Sequence, residues 1–216
     1  MKTQLTTNQL KRMPKYLDLL RALENNGIKF ISCQTIADCL DLNKEQVRKD
    51  IAQVSTIDGI PNKGRDINLL IKDMEKVLGL EGTNNAILIG TGNLGSALLK
   101  YRGFDNFGLK IVAAFDNDES VIGSSVNGIE IFAVDRLKDV LNEYKAQIAI
   151  LTVSAASAQK IADYCVECGV EAIWNFVPVQ LEIDSNVIVS NMDMAQSLAT
   201  LSHRLYLKHK KEKRGK

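Results

Sequence analysis

The chain has 216 residues, a formal net charge of +1 and 45% hydrophobic residues; it is long enough for two modest cores and has no apolar stretch that could span a bilayer. Its four cysteines, Cys33, Cys39, Cys165 and Cys168, make neither a secreted disulfide framework nor a full zinc set, and the N-terminus lacks a signal peptide's apolar core, so the expected location is the cytoplasm with no membrane partner. The near-zero charge hides an asymmetry: residues 1–80 carry 13 basic and 10 acidic residues, residues 81–203 carry 7 and 15, and residues 204–216 carry 7 and 1. A basic N-terminal part on an acidic body predicts an anionic partner at one end.

Residues 1–80 are expected to form a small winged-helix domain. Leu10, Met13, Leu17, Leu20 and Leu23 make a helical stripe, with Pro14 in the first turn and Asn25-Asn26-Gly27 as the stop. Ser32 caps a second helix that turns Ile36, Ala37 and Leu40 inward. After a turn at Asp41-Leu42, Asn43 and Gln46 at capping-box spacing open a third helix, which runs to about Val54. Its inner face is Val47, Ile51 and Val54; Lys44 and Arg48 lie four apart on the other face, with Lys49 beside them. Two short helices with a tight turn and a basic second helix predict a helix-turn-helix, suited to phosphates and guanine edges. Ser55–Asp66, with Gly59, Pro61 and Gly64, predicts a hairpin wing, and Lys63 and Arg65 would follow a minor groove or backbone. Short basic helices are also commonly plain solvated faces, so this stretch alone leaves DNA binding open.

Residues 81–190 alternate strand and helix: strands at Ala86–Ile89, Lys110–Phe115, Gln147–Val153, Ala172–Asn175 and Val187–Val189, helices at Asn93–Lys100, Val134–Tyr144 and Ala156–Cys168. This predicts an α/β fold with a Rossmann doubly wound parallel sheet. Gly90, Thr91, Gly92, Asn93, Leu94 and Gly95 fit G-x-G-x-x-G between the first strand and its helix. Gly90 allows the tight turn, Gly92 the approach of a pyrophosphate, and Gly95 close helix–strand packing. Asp116 ends the second strand about 20 residues on, where a carboxylate accepts ribose hydroxyls and repels a 2′-phosphate; the cofactor expected is NAD (NADH and NAD+), not NADP. Ligand belongs at the carboxyl ends of the strands, which places Thr152, Val153 and Ser154, and Asn175, Phe176 and Pro178, near the glycine loop.

A positioned proton donor and a substrate clamp are both missing from the pattern, and the two histidines, His203 and His209, lie in the tail; an enzyme is not expected. Cys165 and Cys168 form a C-x-x-C late in a helix with no second pair, and read as small packing residues. From residue 191 a last helix carries Met194, Leu198, Leu201 and Leu205 as an apolar stripe, which predicts burial against a partner subunit, and the end from Lys208 reads as a solvated basic tail.

Taken together, these segments resemble the Rex family of redox-sensing transcriptional repressors over nearly the full chain. The resemblance is carried by Gly90-Thr91-Gly92-Asn93-Leu94-Gly95-Ser96-Ala97-Leu98-Leu99, by Tyr101-Arg102-Gly103-Phe104 and by Ile111-Val112-Ala113-Ala114-Phe115-Asp116. Ala158-Gln159, Asn175-Phe176-x-Pro178, Asn191-Met192-Asp193 and, in the third helix, Val47-Arg48-Lys49-Asp50 extend it. It implies a homodimer whose C-terminal helix, in residues 191–216, is domain-swapped against the partner. It also implies binding to double-stranded operator DNA when free or NAD+-bound, and release on NADH. Gly90 to Gly95 would cradle the pyrophosphate, Asp116 hold the adenosine ribose, Tyr101 lie near the nicotinamide, and Met194 help line that pocket; Arg48 and Lys49 would contact DNA.

Four positions depart from the family pattern. Gln53-Val54-Ser55 replaces Tyr-Phe-Gly, Gly64-Arg65-Asp66-Ile67 replaces the wing's Gly-x-Gly-Tyr, and Thr152-Val153-Ser154 replaces Thr-Val-Pro. Asp18 stands where the family has a first-helix arginine that, in the redox switch, pairs with the position of Asp193 in competition with that of Tyr101. Two other readings therefore stay open: an NAD(H)-binding regulator or paralogue with an altered operator and a weakened redox response, and, more remotely, an NAD-dependent oxidoreductase.

Overall fold

In the computed structural model, residues 5–82, 84–192 and 194–214 are described, without the side chains of Met194, Gln196, Ser197 and residues 211–214. The chain divides into two units, Met1–Gly82 and Thr83–Lys216. The first begins with α1 (Thr7–Leu10), closed by a capping box between Thr6 and Gln9. In α2 (Met13–Asn25) Pro14 occupies the first turn, where its missing N–H costs nothing, and Met13, Tyr16, Leu17 and Leu20 are fully buried. The short strand β1 (Phe30–Ile31) leads into α3 (Cys33–Leu40), capped by Ser32. Asp41 then turns the chain in the left-handed region, and Asn43 caps α4 (Lys44–Val54) through the N–H groups of Glu45 and Gln46 at 2.9 and 3.2 Å.

The wing differs from the simple hairpin expected. Ile60 and Gly64 close a tight tip through two backbone bonds of 2.7 and 2.9 Å, but the returning strand β2 (Arg65–Asp66) pairs antiparallel with β1 instead of with the outgoing arm. Gly64 is required there: φ is +91°, and a Cβ would run into the carbonyl of Ile31. Asp66 then caps α5 (Ile67–Val77), an element the sequence reading did not name, whose buried Ile67, Leu70, Ile71 and Met74 complete the small core.

The second unit is a seven-stranded sheet: β3 (Asn84–Ile89), β4 (Leu109–Asp116), β5 (Ser125–Val126), β6 (Ile129–Ala133), β7 (Ile148–Leu151), β8 (Ala172–Asn175) and β9 (Ile188–Asn191) in the order β5-β6-β4-β3-β7-β8-β9. All neighbours are parallel except β5 and β6, a hairpin the sequence reading also missed. The chain winds outward from β3 through β4 to β6, then returns to β7 on the other side of β3. That reversal is the topological switch point, beside which ligands bind in such sheets. On one face α7 (Leu137–Tyr144) and α8 (Ala155–Glu167) cover Ile87, Ile89, Ala113, Phe115, Ala149 and Leu151. On the other, α6 (Asn93–Lys100) brings Leu98 and Leu99 against Ala86, Leu88, Ala114 and Ile150. The last helix, α9 (Met194–Arg214), leaves Leu198, Leu201 and Leu205 63%, 63% and 51% exposed. Among the described residues no helix is long and apolar enough to cross a membrane.

Candidate dinucleotide site and nucleic-acid face

The four apolar residues Ala86 to Ile89 bury β3 at the sheet centre, so the chain must leave the sheet abruptly where polar ligand is to be met. Gly90 makes that exit with φ +94° and packs against Thr152, whose hydroxyl donates to the Gly90 carbonyl at 2.6 Å. Gly95 lies under this turn, where any Cβ would collide with the Gly90 carbonyl oxygen. Gly92 is the opposite case: a Cβ there meets nothing within 4 Å. The bare backbone of Gly92 thus borders open space, beside the exposed first turn of α6 with Asn93 and Leu94. First-turn N–H groups have no partner within their helix and attract anions.

That space belongs to a cavity of about 1140 Å³ that brings together Gly90, Thr91, Gly92, Asp116, Thr152, Val153 and Ser154. Asp116 is held there by four donors. Its Oδ2 accepts from the Thr91 N–H and hydroxyl at 2.6 and 2.7 Å, and its Oδ1 from the N–H groups of Asn117 and Asp118 at 2.8 and 3.2 Å. Burial would raise the pKa of this carboxyl, but the Thr91 bonds and the two loop N–H groups outweigh it and hold the group below the usual carboxylate range.

Other predicted positions lie elsewhere. Asn175 is fully buried and its amide is spent inside the protein, donating to the Val179 carbonyl at 3.0 Å and Asn191 Oδ1 at 2.9 Å, and accepting from the Val177 N–H at 2.9 Å. Phe176 joins an aromatic row, Tyr101–Phe104–Trp174–Phe176, with ring centroids 4.9, 5.5 and 4.8 Å apart, while Pro178 is exposed. Tyr101 is 60% exposed and lies over Gly103, where a Cβ would meet its ring. Asp193 and the side chain of Met194 are outside the described residues. The sequence reading missed one wall of the cavity: Ser157, Lys160, Ile161, Tyr164 and Glu167 of α8, with Val134 and Asp135 ahead of α7. Their spacing along α8 is one helical face beginning at a strand's carboxyl end, a signal that was available. Cys165 is buried, and that burial pushes its thiol up to about 12.

In the first unit, Lys44, Arg48 and Lys49 are exposed on α4, and Arg48 makes a solvent-exposed ion pair with Glu45 at 2.9 Å. Lys63 rests its ammonium 4.0 Å above the Phe30 ring. Arg65 is already committed: its guanidinium donates to Ser55 Oγ at 3.0 Å and to the Ile57 carbonyl, fastening the wing to the end of α4. Asp18 is exposed on α2, and Arg21 one turn on pairs with Glu75 of α5 at 2.7 Å.

The inner side of α4 holds a group the sequence reading did not foresee. Asp50, 2% exposed, accepts from Arg12 at 2.7 and 2.9 Å, from the Tyr16 hydroxyl at 2.8 Å and from Gln9 at 3.2 Å. Gln46, with its amide oxygen turned to Arg12, accepts at 2.8 and 3.0 Å. Burial opposes ionisation of Asp50, but the bonds from Arg12, Tyr16 and Gln9 prevail and lower its pKa. Burial first, and then the Asp50 bond, push the Tyr16 hydroxyl up to about 12.

A helix-turn-helix unit with a basic outer helix and a Rossmann sheet with a phosphate-ready loop define a class, the ligand-responsive DNA-binding regulators. Residues 81–179 match the family model described as "CoA binding domain", and residues 7–52 the one described as "Putative DNA-binding protein N-terminus". The redox-sensing transcriptional repressor Rex of Treponema denticola is 41% identical over 192 residues, covering 89% of this chain and 91% of that protein. Rex of Bacteroides thetaiotaomicron is 36% identical over 203 residues, covering 94% and 92%. Crystal structures of RSP, a Rex-family repressor, superpose with a TM-score of 0.87 at 31% identity over 100% of both chains. Its complex with β-NAD+ and operator DNA gives 0.87 at 32% identity over 98% and 97%, and its complex with β-NADH 0.86 at 31% over 98% and 99%. The chain belongs to the Rex family of redox-sensing transcriptional repressors.

Proposed function

We propose that this chain is a homodimeric repressor that holds operator DNA when free or NAD+-bound and releases it when NADH binds. The observation that carries the reading is the cavity, where open space over Gly92 faces a fixed, ionised Asp116. Residues 1–80 serve as the DNA-binding domain, 81–190 as the NAD(H)-binding domain and 191–216 as the swapped helix and basic tail. The loop from Gly90 to Gly95 receives the pyrophosphate and Asp116 the adenosine ribose, where the carboxylate disfavours the extra phosphate of NADPH. Thr152, Val153 and Ser154 line the same cavity. Arg48 and Lys49, with Lys44 and Lys63, meet the DNA. Release requires that NADH bind the DNA-incompetent state more tightly than the competent one.

The dimer rests on the exposed leucines of α9 and on the aromatic row beside β8, both apolar surfaces within one protomer. No reaction is assigned: the relatives are regulators, and the site acts by binding. DNA as the partner puts that work in the cytoplasm. A second reading, a paralogue with an altered operator and a weaker response, is favoured by Asp18 in place of the family's arginine and by the committed Arg65. The test is a gel shift of the full chain on upstream regions of fermentative and respiratory genes at one ionic strength. Retardation that NADH abolishes and NAD+ preserves is expected. Retardation indifferent to NADH would favour the second reading, and no specific retardation would refute the first.

A further inference from the structure

Asp116 carries as many donors as it can readily accept before any ligand arrives. An ionised carboxylate offers about four lone-pair sites. Here Oδ2 takes the N–H and the hydroxyl of Thr91, and Oδ1 takes the N–H groups of Asn117 and Asp118. Three of these donors are backbone groups, fixed by the turn after β3 and the end of β4. The fourth is the Thr91 hydroxyl, which turns about a single bond. Thr91 lines the cavity although only 9% exposed, and its hydroxyl is turned to the Asp116 carboxylate, which lines the same cavity. The neighbouring Asp118 also lines the cavity and is held by the Ser120 N–H and hydroxyl at 2.9 and 2.7 Å, both on its Oδ1.

We infer that the Thr91 hydroxyl is an affinity-setting group: it holds the acceptor position on Asp116 that a ribose hydroxyl must take, and the ligand has to displace it. This rests on the reading of the cavity as a dinucleotide site. The backbone donors keep the carboxylate aimed whether or not the hydroxyl is present, so the hydroxyl adds little to preorganisation and much to competition. A ligand arriving at the parental site must break a charge-assisted hydrogen bond to make its own. A site without the hydroxyl presents the same carboxylate with one acceptor position open to the cavity. Since the exchange occurs at the adenosine half, it scales affinity for the reduced and oxidised ligand alike and leaves their ratio untouched. Thr91 thereby sets the total dinucleotide concentration at which the protein fills.

The test titrates the full chain and its Thr91→Val, Thr91→Ala and Thr91→Ser variants with NADH by fluorescence, and with NAD+ and ADP-ribose by calorimetry. Valine and alanine both remove the hydroxyl, so a misfolded valine variant leaves the alanine one to report. Both are expected to bind ADP-ribose and NADH roughly three- to tenfold more tightly, the scale of one net hydrogen bond. The NADH-to-NAD+ affinity ratio should stay constant, and serine should match the parent. Equal or weaker ADP-ribose binding by the valine and alanine variants, with the parent binding normally, overturns this inference alone. A parent that binds neither NADH nor ADP-ribose overturns it together with the proposed function.

Discussion

Replacing Asp50 by alanine tests how the outer helix of the first unit is held. The carboxylate is 2% exposed and joins α4 to α1 and α2 through Gln9, Arg12 and Tyr16. Its removal strands the hydroxyl of Tyr16, a residue with no exposed surface, at a cost of about 1–3 kcal/mol. It also leaves the Arg12 guanidinium, 21% exposed, without its counter-ion. Breaking a buried pair by deleting one partner costs about 3–5 kcal/mol in all. A unit of 82 residues has roughly 4–12 kcal/mol to lose, and the expected fall in its melting temperature is at least about 10 °C. Asp50→Asn keeps the shape and an acceptor and should lose about half as much. The sign with pH follows from the lowered pKa of Asp50: its contribution is full above the unfolded value of about 4 and is lost as pH falls through the lower folded value. The asparagine variant should therefore show a shallower acid limb. The assay is far-UV circular dichroism on heating, with the fluorescence of Trp174, the chain's one tryptophan and a residue of the other unit, as internal control. An alanine variant melting within about 2 °C of the parent would refute the assignment of Asp50 as an anchor.

The fingerprint glycines should separate cleanly: Gly92→Val should fold and fail to bind NADH, whereas Gly95→Ala, driven against the Gly90 carbonyl, should lose the second unit's cooperative unfolding. Calorimetry and a denaturation curve on each distinguish them, and a stable Gly95→Ala would count against the packing described. Arg48→Ala and Lys49→Ala should each weaken operator binding by roughly 1–3 kcal/mol in gel shifts while sparing NADH affinity; parental binding by both would remove α4 from the interface. Truncation before Asn191 should convert dimers to monomers or aggregates in light scattering, and a well-behaved truncated dimer would exclude α9 from the contact. Asp18→Arg should tighten operator binding and raise the NADH concentration needed for release, with identical curves placing position 18 outside the switch.

Local signals were readable and long-range ones were not. The path from β3 through the glycine loop and α6 to Asp116 is written in consecutive residues, because turn sterics and burial act over a few positions. The α5 stripe of Ile67, Leu70, Ile71 and Met74 is a local signal of the same kind. The β5–β6 hairpin was harder, since the short strand β5 stands in place of the helix that usually crosses between parallel neighbours, here β4 and β6. Asp50 was visible only as an acid in a basic helix; its partners Arg12 and Tyr16 lie 38 and 34 residues away, and no local pattern announces them. Asn175 was drawn to the site by its place at a strand end, but its amide was needed to tie the following loop to β9.

The exposed leucines of α9 bear on biosynthesis. The ribosome makes this helix after every other described element, and within one protomer β9 is an open edge with Ile188 72% exposed. On the proposed dimer, each newborn protomer must find a companion before that edge or that stripe finds something else. Encounter depends on copy number, and a protein stabilised by its own association loses folded population when diluted. The dose of the gene then enters twice, once as the number of repressors and once as the fraction of them that are assembled.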